Sequence, residues 1–204
     1  MTGFDYAALL RRKLNDSEGE ISDGEILDAL NLGLLELGRE LSYWRETYEF
    51  DANEDGQTAL PDRFLSIIEA RLNDKKLEIK SANYKPDERS IVIDGFFIKT
   101  LPTPPLLQLD PPVNASALPL RYTIEYITFA QIGDLHENVP IASSMSDLLI
   151  AYCVMQLKER YQGEKPLNEI KLWTELYQMK LANVRAKLRP LLIGKNLSTK
   201  QIIC

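Results

Sequence analysis

The chain is poor in the residues that most catalytic and metal sites need. Its 204 residues include one histidine and two cysteines. His136 lies near acidic residues, but a metal or acid-base site would need further groups, and the spacings of zinc ligands and phosphate-binding loops are absent. Cys153 falls in an apolar helical run, and Cys204 has no adjacent base to activate its thiol. We therefore predict no catalytic residue, no metal ligand and no cofactor, and interpret the chain as a structural protein rather than an enzyme.

Long apolar runs and a disulfide framework are also missing. No stretch approaches the roughly 18 to 20 apolar residues of a membrane span. The first residues place their charges after a short apolar run, which is the reverse of a secretory signal. Two cysteines without a framework spacing favour a reducing compartment. The expectation is a soluble protein, made and used inside a cell, with no membrane partner.

Charge is abundant but unevenly distributed. The net charge is −6, yet residues 1–62 carry fifteen acids against five bases, and after Glu175 the chain has six bases and no acid. One interpretation is a solvated acidic helix, followed by a helix whose cations complement its dipole. The other is a pair of opposite surfaces that meet on neighbouring subunits, with candidate contacts at Asp23, Glu25, Asp28, Glu36, Glu40, Arg185, Lys187 and Arg189. A nucleic-acid-binding domain would usually be basic overall.

Helical patterns occupy both ends of the chain. A first helix is predicted over Phe4–Leu14. Ser22 and Glu25 have capping-box spacing before a longer helix over Asp23–Glu46, whose apolar residues recur at steps of three and four. Near the C-terminus, Ser143 or Ser144 is predicted to cap a helix running to about Gln162. The last predicted helix begins near Pro166 and is stopped by Pro190.

The middle of the chain has strand patterns. Strands are predicted at 48–52, 64–72, 90–94, 96–101 and 121–129, with Asn73-Asp74 closing a hairpin. Six prolines between 102 and 119 predict a loop bordered by short edge strands. The order of helices, sheet and helices predicts an α+β fold, with the terminal helices packed as a bundle around an inserted antiparallel β region. We expect one domain: a helical module at 1–47 and 140–189, a β insertion at 48–132 and a C-terminal arm at 190–204.

Several segments resemble, in order and spacing across residues 20–188, the head-to-tail adaptor (connector) family of tailed bacteriophages. They are SDGEILDALNLGLLELGREL, LPDRFLSIIEARLNDKKLEIKSANY, PLRYTIEYITF and VPIASSMSDLLIAYCVMQLKERYQ. The proline-rich segment 102–119 and the tail after Pro190 depart from the family pattern. The resemblance therefore covers most of the chain but not these two segments.

The resemblance implies a virion structural protein that bridges portal and tail. Such adaptors form a ring of identical subunits, commonly dodecameric, in the neck of the virion, between the portal protein and a downstream tail or nozzle protein. Genomic DNA would pass through the ring with transient, non-specific contacts, and an acidic lumen would keep it sliding, because lysine and arginine make most phosphate contacts. Ring contacts are heterologous, so two different faces of a subunit must be complementary. Assembly would take place in the host cytoplasm.

The tail after Pro190 has no place in the helical pattern. We expect it to dock, as an arm ordered on binding, on the portal or on an adjacent subunit, through Leu191, Leu192, Ile193, Lys195, Leu197, Lys200, Ile202 and Ile203. The β region would face the next tail component. The alternatives are another virion part, such as a tail-completion or tail-tube protein, and a cellular helical protein-interaction module; a small hydrolase is more distant.

Overall fold

The computed structural model describes residues 1–16, 18–50, 57–72, 75–80, 97–102, 105–110, 122–161 and 167–193. Within these ranges the chain has an α+β fold with helices at both ends and β strands between them, as the sequence predicts. It divides into two compact units. The helical unit comprises Met1–Trp44 and Phe129–Cys204, and the β unit comprises Arg45–Thr128. Each unit is described separately.

The helical unit contains four α-helices within the described ranges. They are α1 (Gly3–Leu14), α2 (Asp23–Leu41), α3 (Ser146–Tyr161) and α4 (Leu167–Ile193), and a short 3-10 helix at Ser143–Met145 precedes α3. Helix α2 begins at the predicted capping box, in which Ser22 and Glu25 satisfy each other's backbone N–H groups. Thr2 and Asp5 form a second box at the start of α1. These two helix starts are therefore encoded locally.

Helix α3 is the centre of the helical unit, since α1, α2 and α4 all contact it. Between Ser146 and Arg160 its exposed residues are only Asp147, Glu159 and Arg160. A helix that is covered on most sides needs apolar or small residues around most of its circumference. Gly33 of α2 allows a close approach, because a Cβ atom there would collide with a methyl group of Leu149. The largest core cluster of the protein is built around this helix.

Three helix ends differ from the predictions. Helix α2 stops at Leu41 rather than Glu46, because Ser42 adopts a left-handed conformation (φ 51°) and its N–H bonds the Gly38 carbonyl, after which the chain enters a strand. Neither Ser143 nor Ser144 caps the third helical segment; Ala142 occupies the N-cap position and makes no side-chain bond. Helix α4 continues past Pro190 to Ile193. A proline removes its own N–H, but the residues that follow keep theirs, so the helix can continue with one bond missing.

The described residues of the β unit form two four-stranded sheets. The first has the order β1-β8-β3-β4, where β1 is Trp44–Phe50, β3 is Ser66–Leu72, β4 is Lys75–Lys76 and β8 is Tyr122–Thr128. Burial alternates along β8 as predicted: every second residue is buried, namely Tyr122, Ile124, Tyr126 and Thr128. Leu72 pairs with Lys75, so the strands flanking the predicted hairpin are antiparallel. Asn73 and Asp74 themselves lie outside the described residues.

The second sheet has the order β2-β7-β6-β5, where β2 is Gln57–Ala59, β5 is Glu78–Lys80, β6 is Phe97–Pro102 and β7 is Pro105–Asp110. Strand β7 lies in the segment predicted to be a loop. That prediction is wrong there because Pro105 is the first residue of the strand, where no ladder N–H is needed; it pairs with Pro102, the last residue of β6. Strands β5 and β6 are parallel, an exception to the expected antiparallel region. The strand predicted at 90–94 lies outside the described residues.

Candidate assembly surfaces

The acids at the start of α2, predicted as subunit contacts, act within the chain. Arg11 donates from Nη2 to Asp23 Oδ1 at 2.7 Å and thus ties α1 to the start of α2. Glu25 Oε2 accepts from the N–H of Ser22 at 3.0 Å and from its hydroxyl at 2.7 Å. These hydrogen bonds, led by the one from the hydroxyl, lower the pKa of Glu25. Both acids help to define the beginning of α2.

Two further predicted contact residues of opposite charge are brought together inside one chain. The guanidinium of Arg185 forms an ion pair with the carboxylate of Glu40. Arg185 Nε also donates to the backbone carbonyl of Glu40 at 3.4 Å. The pair joins the end of α2 to α4, so the acidic and basic segments are already complementary within the helical unit. Their contact across a subunit boundary stays a prediction.

Asp28 of α2 and Lys187 of α4 are the predicted contact residues that keep their charge on the surface. Both are exposed, and among the described residues neither has an ion-pair partner. Glu36 is half-buried, close enough to Tyr177 and Tyr152 to raise their pKa values, although burial is the larger cause for both. The side chain of Arg189 lies outside the described residues. Asp28 and Lys187 are therefore the charges best placed to meet another molecule.

Apolar side chains on the outer faces of two helices complete these surfaces, and the sequence reasoning missed them. Leu172 and Met179 of α4 are 62% and 55% exposed, and Leu32 of α2 is 44% exposed. Leu32 stands outside the buried leucine series of α2, and Leu172 and Met179 stand outside the Ile170–Leu188 face of α4. That offset was the available signal. A single exposed leucine is ordinary, but apolar residues one heptad apart on one helix form a stripe.

A separate open groove lies along the exposed side of α1. It has a volume of about 510 Å³ and is lined by Met1, Asp5, Ala8, Leu9 and Arg12. Phe4, on the same side, contacts His136 edge to face, with ring centroids 4.7 Å apart. The single histidine thus packs against an aromatic ring at the start of α1.

The reactive groups of the helical unit are arranged for packing. Cys153 is buried, its Sγ lies 3.3 Å from the Ala29 carbonyl, and burial raises the pKa of its thiol. Tyr177 is buried beside Tyr152, and its hydroxyl has no hydrogen-bond partner among the described residues. In the same part of the chain, no three histidine, cysteine or acidic side chains converge as metal ligands would. Cys204 lies outside the described residues.

The predicted docking arm is described only at its beginning. Leu191, Leu192 and Ile193 form the last residues of α4 rather than an extended segment. The remaining arm residues, Lys195, Leu197, Lys200, Ile202 and Ile203, lie outside the described residues. The first three residues of the predicted arm are therefore the end of α4, and the extended conformation predicted for them is wrong.

None of the described helices combines the length and the apolar composition needed to cross a membrane.

Comparison with known proteins gives one match that spans nearly the whole chain. A family model described as "SU10 adaptor protein" matches residues 1–192. The matched range includes every described strand and every described helix; only the last residue of α4, Ile193, lies beyond it. No curated protein matches the chain.

Proposed function

Because the chain belongs to the SU10 adaptor protein family, a family of phage head-to-tail adaptors, we propose that it forms the ring that joins portal to tail in a virion. The chain is a phage adaptor and a virion component. Ring formation, portal binding and passage of DNA through the ring are the proposal. The family match over residues 1–192 carries it, and the surfaces of the helical unit support it.

The helical unit is suited to form the wall of a ring. Its core is continuous around α3, so its outer faces are held by packed helices rather than by loops. A closed ring needs two unlike faces on each subunit. Helices α2 and α4 provide unlike exposed faces, one with the acid Asp28 and one with the base Lys187.

The portal contact is assigned to the C-terminal arm, residues 191–204. This segment has basic and apolar residues and no acid. A helix end followed by such a sequence suits an element that gains order when it binds. The acids of α1 and α2, and of the connector between them, would give a lumen that repels phosphate, so that DNA slides rather than binds.

The β unit is assigned to the downstream tail or nozzle protein. Among the described residues, β1 and β4 are the outermost strands of one sheet and β2 and β5 those of the other, and outermost strands are common sites for pairing with another chain. Of the seven residues of β1, only Phe50 is buried. With the β unit bound to the tail, the contacts between neighbouring subunits of the ring would be made by the helical unit.

The experiment is reconstitution with purified portal protein. We expect the full chain to form closed rings in negative-stain images and to bind portal, and a chain truncated after Arg189 to fold but lose portal binding. Circular dichroism of the truncated chain is the control for folding. Normal portal attachment without residues 190–204 would remove the arm from the proposal. A full chain that stays monomeric and ignores portal would favour a protein-interaction module instead.

A further inference from the structure

The exposed face of α4 has the pattern of a helix-packing surface that nothing in its own chain covers within the described residues. Positions 172, 175, 179, 182 and 186 are all exposed and are separated by steps of three and four. They hold Leu172, Glu175, Met179, Ala182 and Ala186. Two large apolar residues followed by two alanines allow another helix to approach closely along the second half of α4.

A second exposed stripe runs along α2. Asp28, Leu32, Leu35 and Arg39 are separated by steps of four, three and four; Leu35 is half-buried and the other three are exposed. This stripe is distinct from the buried leucine series of α2, which packs into the core around α3. Helix α2 therefore uses one face within the subunit and offers another outward.

The charges around the two stripes are opposite. Helix α2 carries five acids and one base, while α4 carries five bases, four of them after Glu175, and two acids, Glu169 and Glu175. The complementarity is already used once, where Arg185 of α4 pairs with Glu40 of α2 in the same chain. Asp28 and Lys187 have no such partner among the described residues and remain exposed. A parallel contact between two copies of α4 would bring the bases of the two C-terminal halves together, which opposes association.

We infer that the exposed face of α4, centred on Leu172 and Met179, packs on the exposed face of α2, centred on Leu32, of the neighbouring copy. Asp28 of one copy and Lys187 of the other lie at the charged margins of this contact. The contact is heterologous, so a pair of copies leaves one α2 face and one α4 face free for further copies, which allows a ring to close. The inference rests on the proposed ring and names the surfaces that build it.

The first experiment measures the concentration at which the full chain is half assembled, by native mass spectrometry and light scattering. Replacement of both Leu172 and Met179 by serine, or of Leu32 by serine, is expected to raise this concentration at least tenfold, because each change removes apolar surface from the centre of the contact. The matched control is Ile79→Ser in the β unit. Ile79 is 42% exposed, and its replacement is expected to leave assembly unchanged.

Charge reversal makes the test independent of folding. Asp28→Lys and Lys187→Asp are each expected to weaken assembly, and the double variant is expected to assemble better than either single variant. Assembly of the wild-type chain should also weaken as salt concentration rises. Recovery in the double variant cannot arise from a misfolded surface.

Cross-linking decides which faces meet. In a chain carrying Cys204→Ser, the pair Leu32→Cys and Met179→Cys is expected to form intersubunit disulfides, while each single cysteine variant is not. Cross-links with Met179→Cys alone would show that α4 meets α4 and would overturn the inference. A wild-type ring that is unaffected by all these variants would overturn the inference but keep the proposed function. A wild-type chain that never forms a ring would overturn both.

Discussion

The two units of the molecule are stabilised in different ways. The helical unit has a core of mostly aliphatic residues packed around one central helix, with Leu10, Ile26, Leu30, Leu34, Leu37, Leu148 and Leu149 among its fully buried members. Among the described residues, the core cluster of the β unit is smaller and contains stacked aromatic rings. Tyr48 stacks on Phe50, and Phe50 stacks on Tyr122 with centroids 5.3 Å apart. Phe64 stacks on Tyr126 in the same unit.

The proposed division of roles between the two units fits this difference. A large aliphatic core resists deformation and keeps helix faces in fixed positions, which suits contacts repeated around a ring. The outermost strands of the two sheets, such as β1 and β2, suit a surface that meets a different protein. The polar links follow the same division, since Glu40–Arg185 and Asn31–Ile132 lie in the helical unit and Glu46–Tyr126 lies in the β unit.

Core truncations give the largest effects and test whether the units are independent. Leu148→Ala in α3 and Ile124→Ala in β8 each remove a side chain that is 1% exposed, and each should cost about 3 kcal/mol in the unit that contains it. Hydrogen exchange should show faster exchange in α1, α2 and α4 for the first variant, and in β1 and β3 for the second. Equal loss of protection in both units from either change would contradict two separate cores.

Asn31 tests the polar link that holds the loop after β8 to α2. Its Nδ2 donates to the Ile132 carbonyl at 3.0 Å, and its Oδ1 accepts from the Ile132 N–H at 2.9 Å. Asn31→Asp keeps the shape but removes the donor and sets a carboxylate against the carbonyl oxygen. The free energy of unfolding should fall by about 2 kcal/mol, as measured by urea denaturation.

A matched control for that change is Asn183→Asp, in the interior of α4. Asn183 is exposed and no hydrogen bond of its side chain is seen among the described residues. We expect its replacement to change the free energy of unfolding by less than about 0.5 kcal/mol. A similar loss from both variants would show that added negative charge, and not the broken link, causes the effect.

Two glycines near the starts of α1 and α2 differ in the space around them, so their replacement by alanine compares a crowded position with an open one in the helical unit. A Cβ atom on Gly3 would lie 2.7 Å from the Cα of Leu135, and a Cβ atom on Gly24 would meet nothing within 4 Å. Gly3→Ala should therefore destabilise the protein by about 1 to 2 kcal/mol, because the backbone must shift. Gly24→Ala should stabilise it by up to about 1 kcal/mol, because alanine favours the helix. Thermal denaturation of both variants checks the direction of each change in stability. Stabilisation by Gly3→Ala would contradict the close packing of the start of α1 on the backbone of Leu135.

Alkaline pH should distinguish the units by their tyrosines. Burial raises the pKa values of Tyr6, Tyr43, Tyr152 and Tyr177 in the helical unit, and of Tyr126 in the β unit. A raised pKa in the folded state means that the unfolded chain loses its proton first, so stability falls as the pH rises above about 10. Hydrogen exchange at pH 10 to 11 should show the helical unit opening first.

Replacement of Tyr177 by phenylalanine tests whether this tyrosine contributes to the loss of stability at alkaline pH. Its hydroxyl is buried without a partner among the described residues, so removing it should leave stability at pH 7 unchanged or raise it slightly. The helical unit of this variant should also lose less stability at alkaline pH. An unchanged alkaline response would show that other tyrosines determine it.

The parts of the fold that depend on local signals could be predicted from the sequence. The capping box at Ser22 and Glu25 and the alternation of β8 rest on neighbouring residues, and both are confirmed. The end of α2 could not be predicted, because Ser42 takes a left-handed conformation that its residue type does not require. Strand β7 could not be predicted from its proline content, because Pro105 is its first residue, where no ladder N–H is needed.

The charges of the candidate surfaces were predicted, but the pairing of these charges and the exposed apolar residues were not. The opposite charges of the two segments were visible in the sequence, but their pairing within one chain was not, since Glu40 and Arg185 are 145 residues apart. The exposed positions Leu32, Leu172 and Met179 depend on which helix faces α3 covers. Their offset from the predicted apolar faces is visible in the sequence, but whether another part of the chain covers them is a property of the tertiary packing.

The most direct test of the central claim, that this adaptor forms a ring through unlike helical faces, is native mass spectrometry of the wild-type chain. The account predicts one closed oligomer of defined subunit number, which loses subunits when Lys187 is changed to aspartate and regains them when Asp28 is also changed to lysine. A chain that stays monomeric across the concentration range, at low and at physiological salt, would contradict it.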